Sequence, residues 1–333
     1  MPAFQKAEFC KESTEAFKKQ RESCLKAGVR IRPVQRQGLE DSNRVDSGKI
    51  GIALQNTPGT NMLGTSFKIV GPAKGQGSFG AVYVVEHVHS RRRYAAKVEP
   101  VLASLDREIQ ILKGISHEAI LPVLCSHVED GGLSWYIMPL LPTNLFAYLR
   151  SENQFAHGSQ DALFNQLMDG LGFLHDRGVV HADIKPGNIV YNPGTEHFYI
   201  IDFGIAVVLP TPRGQTTESV YTLAFRPPEL IEQGELAPVL TVKADSWAAA
   251  LTMLEASTRT RFFDGRSKVA IAEKIRSFAR ELSFGLAGGP HLTKLQGAIN
   301  NLSPSTQKHV AELIHYDPRR RASCGNVAEE LRN

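Results

Sequence analysis

The sequence predicts an α+β fold in two lobes, a small strand-rich one followed by a larger helical one. Short runs of β-branched and aromatic residues, broken by glycine or by a basic turn, fill much of residues 67–141. Beyond Asn144 the apolar residues recur mostly at helical spacing over long stretches. A chain of 333 residues, 42% hydrophobic and 22% charged, is long enough and ordinary enough to bury such cores.

The chain divides into an arm and connector over 1–64 and a main domain over 65–330, its lobes meeting near 141. Residues 4–27 carry Phe4, Ala7, Phe17 and Leu25 among many charges, which predicts a surface helix stopped by Gly28. Residues 29–64 are polar and hold Gly38, Gly48, Pro58, Gly59 and Gly64, as an irregular connector does. Of the net charge of +4, residues 1–36 carry +5 and the remainder −1, so the basic character belongs to the arm. That arm reads either as a solvated helical face or as a contact for an acidic partner, an anionic membrane surface or nucleic acid. No aromatic interleaving or nucleic-acid motif supports direct nucleic-acid binding.

Cys10, Cys24, Cys125 and Cys324 lie far apart without a Cys-x-x-Cys pair, which predicts reduced thiols and a cytoplasmic or nuclear protein. No secretory leader is expected at the N-terminus. The most apolar stretch, Trp247 to Leu254, is too short to span a bilayer and is flanked by Asp245 and Glu255. Membrane binding is not expected, and the working expectation is a monomer.

Within the first lobe, strands are expected at Phe67–Val70, Ala81–Val85, Tyr94–Val98, Ile120–Cys125 and Trp135–Leu141. Leu105, Ile109 and Leu112 mark a helix over 103–113. Gly75, Gly77 and Gly80, with Ser78 between them, follow G-x-G-x-x-G between two strands. Glycine here lets backbone approach phosphate with no Cβ in the way. A dinucleotide-binding loop would need a helix directly after the glycines, whereas Val82 to Val85 reads as strand. Lys97 lies 17 residues past Gly80 and suits the α- and β-phosphates of a nucleotide; Glu108 is the best anionic partner to fix it.

The densest chemistry is His181-Ala182-Asp183-Ile184-Lys185-Pro186-Gly187-Asn188, followed by Asp202-Phe203-Gly204. Asp183 is placed to accept or orient a hydroxyl proton. Asn188 and Asp202 offer the oxygen ligands that Mg²⁺ prefers, and Lys185 can screen charge on a transferred phosphoryl group. His89, His117, His127, His175 and His291 show no ligand spacing and are expected at the surface or core edge.

These motifs, in this order, resemble the eukaryotic-type protein-kinase family over about residues 67–325. Pro227-Pro228-Glu229 stands for the family's A-P-E, Asp245-Ser246-Trp247 for its D-x-W, and Arg321 for the arginine that pairs with Glu229. The resemblance implies an enzyme that transfers the γ-phosphoryl group of ATP, with Mg²⁺, to protein substrates. Asp183, Lys185, Lys97 and Glu108 are its implied catalytic residues, and Asn188 and Asp202 its metal ligands. Gly75, Gly77, Ser78, Gly80, Val82, Ala95, Lys97, Met138 as gatekeeper, and Pro139 and Leu141 of the hinge are implied to bind the nucleotide. Lys185-Pro186-Gly187-Asn188 and Thr222 resemble the serine/threonine type, with a flavour of the cyclin-dependent and mitogen-activated group. A pseudokinase scaffold docking partners through the arm is the alternative, against which stands the presence of Lys97, Glu108, Asp183, Asn188 and Asp202 together. A small-molecule phosphotransferase is disfavoured by Glu229, Trp247 and Arg321.

One position departs from the family. Ala182 replaces the arginine that usually pairs with a phosphorylated activation-loop residue, so phosphorylation of Thr216, Thr217 or Ser219 has one cation fewer to recruit. Activity independent of activation-loop phosphorylation is the expectation. Asn144 stands where arginine-directed kinases place an acid, and Ser323 follows basic residues but beside an Arg321 expected to be buried.

Overall fold

The computed structural model describes residues 62–333 apart from 65, 78–79, 101–102, 129–132, 154, 157, 212–213, 215–221, 232–239 and 287. The arm helix over 4–27 and the connector up to residue 61 lie outside the described residues, as do Ser78, Thr216, Thr217 and Ser219. Two compact units emerge, one within Met1–Leu102 and Val123–Pro139, the other within Ala103–Pro122 and Leu140–Asn333.

The first unit is an antiparallel six-stranded sheet. Its strands are β1 (Met62–Leu63), β2 (Phe67–Gly77), β3 (Gly80–His87), β4 (Arg93–Pro100), β5 (Cys125–His127) and β6 (Leu133–Pro139), ordered β1-β2-β3-β4-β6-β5. The β3–β4 hairpin turns through Arg91, whose φ of 56° is left-handed and whose N–H bonds the His87 carbonyl at 2.9 Å. Leu63, Phe67, Val85, Ala96, Val98 and Ile137 form the apolar core of the sheet, with Tyr94 and Trp135 packed against it. Period-2 alternation explains the selection: residues two apart along each strand share that face.

The strand expected at Ile120–Cys125 forms only at its end. Leu121 donates to the Ile200 carbonyl in the second unit and Leu124 to the Ile137 carbonyl in the first. Pro122, without an N–H, stands between them and cannot join a ladder. Strand pairing begins at Cys125.

The second unit carries the helices: α1 (Ala103–Lys113), α2 (Leu145–Arg150), α3 (Ser159–His175), α4 (Lys243–Thr258), α5 (Lys268–Phe284), α6 (Pro290–Ile299), α7 (Pro304–Leu313) and α8 (Cys324–Arg332). Helix α1 thus groups with this unit rather than with the sheet. Ser267, Ser303 and Ser323 cap α5, α7 and α8 by accepting a backbone N–H three residues on. Helix α4 is buried on every side from Ala244 to Ala256. This accounts for the largely apolar Trp247–Leu254 stretch: a helix without a polar face is a core helix. Helices α3 and α8 meet backbone to backbone, because a Cβ on Gly172 would lie 3.0 Å from the Cα of Gly325.

Five short strands were not anticipated in the helical half. β8 (Val179–Val180) pairs with β11 (Val207–Val208), and β9 (Ile189–Asn192) pairs with β10 (His197–Ile200) and with β7 (Thr143–Asn144). Strands of two to four residues are too short to show a period. They bracket the segment 181–188 and hold its two ends.

Candidate active site

The carboxylate of Asp183 is gripped on both oxygens. Oδ1 accepts the Thr222 hydroxyl at 2.7 Å and the Thr222 N–H at 3.3 Å. Oδ2 accepts Lys185 Nζ and Asn188 Nδ2, both at 2.7 Å. Lys185 also donates to Thr222 Oγ1 at 2.7 Å, and Asn188 Nδ2 reaches the Asp183 carbonyl at 2.9 Å. Three side chains therefore fix the orientation of one acid. Because Asn188 spends its amide N–H groups on Asp183, its carbonyl oxygen is the atom that can turn to a cation.

Sequence positions 185–188 adopt this arrangement for local reasons. Pro186 opens a 3₁₀ turn, Pro186–Asn188, where its missing N–H costs nothing, and β9 begins at once at Ile189. The turn returns Asn188 beneath Asp183.

A second carboxylate holds the loop from behind. Buried Asp245, near the start of α4, accepts the backbone N–H of His181 at 2.8 Å and of Ala182 at 2.9 Å, and contacts His175 Nε2 at 3.0 Å. Burial alone pushes its carboxyl up; the His175 hydrogen bond, the electrostatic pull of the two imidazoles and the Ala182 N–H outweigh that and hold it below the usual aspartate range. His175 Nδ1 is buried with no partner, so its proton sits on Nε2, toward Asp245. His175 is thus a buried residue, not the surface or core-edge one the sequence suggested. The spacing of 70 residues to Asp245 left no signal of the pair.

His181 locks the same loop through its ring. Its Nδ1 accepts the Asp183 N–H at 3.2 Å while Nε2 donates to the Ile201 carbonyl at 3.0 Å, and the ring stands edge-on to Phe203. Ala182 and Asp202 take left-handed φ values of 65° and 68°. Each non-glycine residue there costs of order 1–3 kcal/mol, a strain that the surrounding bonds must offset. Ala182 is buried with Val180, Val207, Leu209, Leu230, Leu240 and Ala244, an apolar cluster in place of a cation.

Glu108, buried on α1, accepts the N–H of Phe203 at 3.0 Å. The second unit thereby brings together Asp183, Lys185 and Asn188, and anchors the residue after Asp202 through Glu108. Asp202 is half-buried.

The remaining expected site residues lie mostly in the first unit. Val82 pairs with Lys97, and Ala95 with Met138. Directly paired residues and residues two apart share a face, so Val82, Ala95, Lys97 and Met138 line one side of the sheet. Lys97 is buried there. Gly75 stands opposite Val82 and Gly77 opposite Gly80 at the β2–β3 turn, while Pro139 ends β6 opposite Tyr94. Leu141 falls in the second unit.

Beyond the loop, Arg321 meets Glu229 through two bonds of 2.7 and 2.9 Å, as expected from the sequence. Cys324, buried beside Ser246, has its thiol pushed up to about 12 by desolvation and is chemically inert. No helix among the described residues is long and apolar enough to cross a membrane.

The family model described as "Protein kinase domain" matches residues 70–331. A "CTD kinase subunit alpha" of Schizosaccharomyces pombe is 31% identical over 210 residues, covering 60% of this chain and 35% of its own length. A "Mitogen-activated protein kinase kinase 2" of Arabidopsis thaliana is 25% identical over 264 residues, 77% of this chain and 69% of its own. A "Serine/threonine-protein kinase STE20" of Debaryomyces hansenii is 28% identical over 187 residues, 54% of this chain and 17% of its own. The chain spans only about a third of the length of other relatives too, such as 34% of one from Caenorhabditis elegans. The match over most of the chain, on a β-rich unit followed by a helical one, leads to one conclusion: the chain belongs to the protein kinase family.

Proposed function

We propose that the chain transfers the γ-phosphoryl group of ATP to serine or threonine hydroxyls of proteins, with Mg²⁺. The observation that carries this is the double grip on Asp183. A carboxylate held by Thr222, Lys185 and Asn188 presents a fixed acceptor to an incoming hydroxyl, and positioning of this kind contributes about 10²–10⁴-fold to rate.

Asn188 Oδ1 and the Asp202 carboxylate form an all-oxygen donor pair suited to Mg²⁺, which would neutralise phosphate charge when bound. Lys97, a buried cation on the sheet face it shares with Val82, Ala95 and Met138, fits a ligand with an apolar ring and an anionic tail. Lys185, already against Asp183 and Thr222, supplies positive charge beside the acceptor hydroxyl.

The test is incubation of the purified chain with labelled ATP, Mg²⁺ and a panel of unfolded proteins, beside Asp183→Asn. Phosphoserine or phosphothreonine formed by the unmodified chain alone supports the reading. Absence of transfer together with absence of an ATP-dependent thermal shift overturns it in favour of a scaffold.

A further inference from the structure

Helix α2 and the turn after α4 gather positive charge beside the loop that holds Asp183. The helix starts at Asn144, whose side chain caps it by accepting the Ala147 N–H at 2.8 Å, and it packs against the Pro186–Asn188 turn. Its far end carries Arg150. Arg259, in a left-handed conformation just past α4, donates Nη2 to the carbonyls of Tyr148 and Ser151, at 3.2 and 2.6 Å. This clamps the α4 turn onto the end of α2.

The clamp brings two guanidinium groups to one ring. Arg150 Cζ stands 3.9 Å and Arg261 Cζ 5.7 Å from the centre of Phe146, both within cation–π range. Lys294 fixes the backbone beneath Arg261 by donating to the carbonyls of Arg261 and Phe262, at 2.9 and 2.6 Å. Both arginines are exposed, and neither has an ion-pair partner among the described residues. The one acid under them, Glu255, is buried and points its carboxylate to the Phe262 N–H at 3.1 Å. The exposed acid of the same turn, Asp264, is taken by Lys274 at 2.6 Å. Two neighbouring cations held on one aromatic face repel each other; Glu255 pulls on both from below without pairing with either, and an anion bridging them from the solvent side removes that repulsion.

We propose that Phe146, Arg150 and Arg261 form a specificity site for an anionic side chain, carboxylate or phosphoryl, in the protein substrate near its acceptor hydroxyl. This rests on the kinase reading above and adds a substrate class to it. Arginine suits the task because its planar fork binds carboxylate or phosphate with two hydrogen bonds. The substrate chosen is acidic, or already phosphorylated beside the new site.

The test compares peptides with one serine acceptor flanked, on either side, by glutamate, phosphoserine or glutamine. Both kcat/KM and binding of dye-labelled peptides by fluorescence anisotropy are measured for the full chain, Arg150→Ala, Arg261→Glu and Arg261→Lys. The expected result is a preference of about tenfold for anionic over glutamine peptides, carried by KM and falling with added salt. The preference collapses toward one in Arg150→Ala and Arg261→Glu and is partly kept in Arg261→Lys. The glutamate and phosphoserine arms decide which anion is read. A ratio near one in the unmodified chain, or a ratio unchanged by the substitutions, overturns the proposal. Anionic preference in binding without turnover keeps the site and removes the kinase reading; turnover without preference does the reverse.

Discussion

Arg321 and Glu229, 92 residues apart, form a fork-to-fork pair, Nη1 to Oε1 at 2.7 Å and Nη2 to Oε2 at 2.9 Å. The other guanidinium bonds reach the carbonyls of His315 and Lys243, and the group lies over the Trp247 ring. Replacing Arg321 by alanine leaves Glu229 and two carbonyls without their partner. The expected cost is about 3–5 kcal/mol in chemical denaturation. Lysine recovers little of it, since a point charge cannot reproduce the fork. A loss under about 1 kcal/mol would contradict the role given to this pair.

Thr222→Ala removes one of the two bonds on Asp183 Oδ1 and one from Lys185. A hydrogen bond to a charged group contributes about 1.5–3 kcal/mol, so kcat should fall about 10- to 100-fold with little change in melting temperature. Thr222→Ser, which keeps the hydroxyl, should stay within a few-fold of the parent. Equal losses in both variants would show that the methyl group, not the bond, matters.

Asp245→Asn exchanges an acceptor of three donors for an amide that places an N–H among them. We expect roughly 3 kcal/mol of destabilisation and a loosened 181–183 loop, visible as faster amide exchange. The sign of the pH dependence follows from the lowered carboxyl. An acid depressed in the folded state stabilises fully above its unfolded value, near 3.8, and loses that contribution as pH falls through the lower folded value. The difference between Asp245→Asn and the parent should therefore be constant from neutral pH down to about 4 and narrow only below.

Glu255 behaves in the opposite sense. Desolvation raises its carboxyl above the ordinary value of 4.5, against the pull of the Phe262 N–H and of Arg261, Lys294 and Arg150. An acid raised by folding destabilises as pH climbs through that range, because the native state must give up a proton it prefers to keep. Glu255→Gln should then melt higher than the parent at pH 7, with the gap closing toward pH 4.5. A gap that widens on acidification would reverse the assignment.

Ala182 offers an apolar cluster where an arginine would offer a phosphate partner. Phosphatase treatment of the purified chain should leave its activity within about twofold, since no guanidinium at this position waits for a phosphate. Loss of nearly all activity would require another cation to act in its place.

The division into a strand-rich and a helical half was legible because period-2 and helical patterns differ over long runs. So was the gathering of Asp183, Lys185 and Asn188, which sit at close intervals in one segment. What escaped were short or distant relationships. Strands β8 to β11 are too brief to carry a period, and Pro122 cut short a run that propensity alone extends from Ile120. The His175–Asp245 contact and the gathering of Arg150 and Arg261 on Phe146 arise from helix packing, which leaves no spacing in the chain. Gly172 and Gly325 look unremarkable in helical sequence until the two backbones touch.

That last contact has a bearing on biosynthesis. Helix α3 leads directly into the loop that carries Asp183, yet its back rests on Gly325, and α4 is tied through Lys243 to Arg321. Two of the residues that brace this segment from behind, Arg321 and Gly325, are translated more than 130 residues after Asp183. A nascent chain halted at residue 320 would carry each residue proposed for catalysis and still lack the part of their support that Arg321 and α8 supply. It should bind chaperones and be cut by protease within the 176–210 stretch, whereas extension through residue 332 should protect it. Firm packing of that segment thus waits for α8, which delays any phosphoryl transfer until this helix has been made and docked.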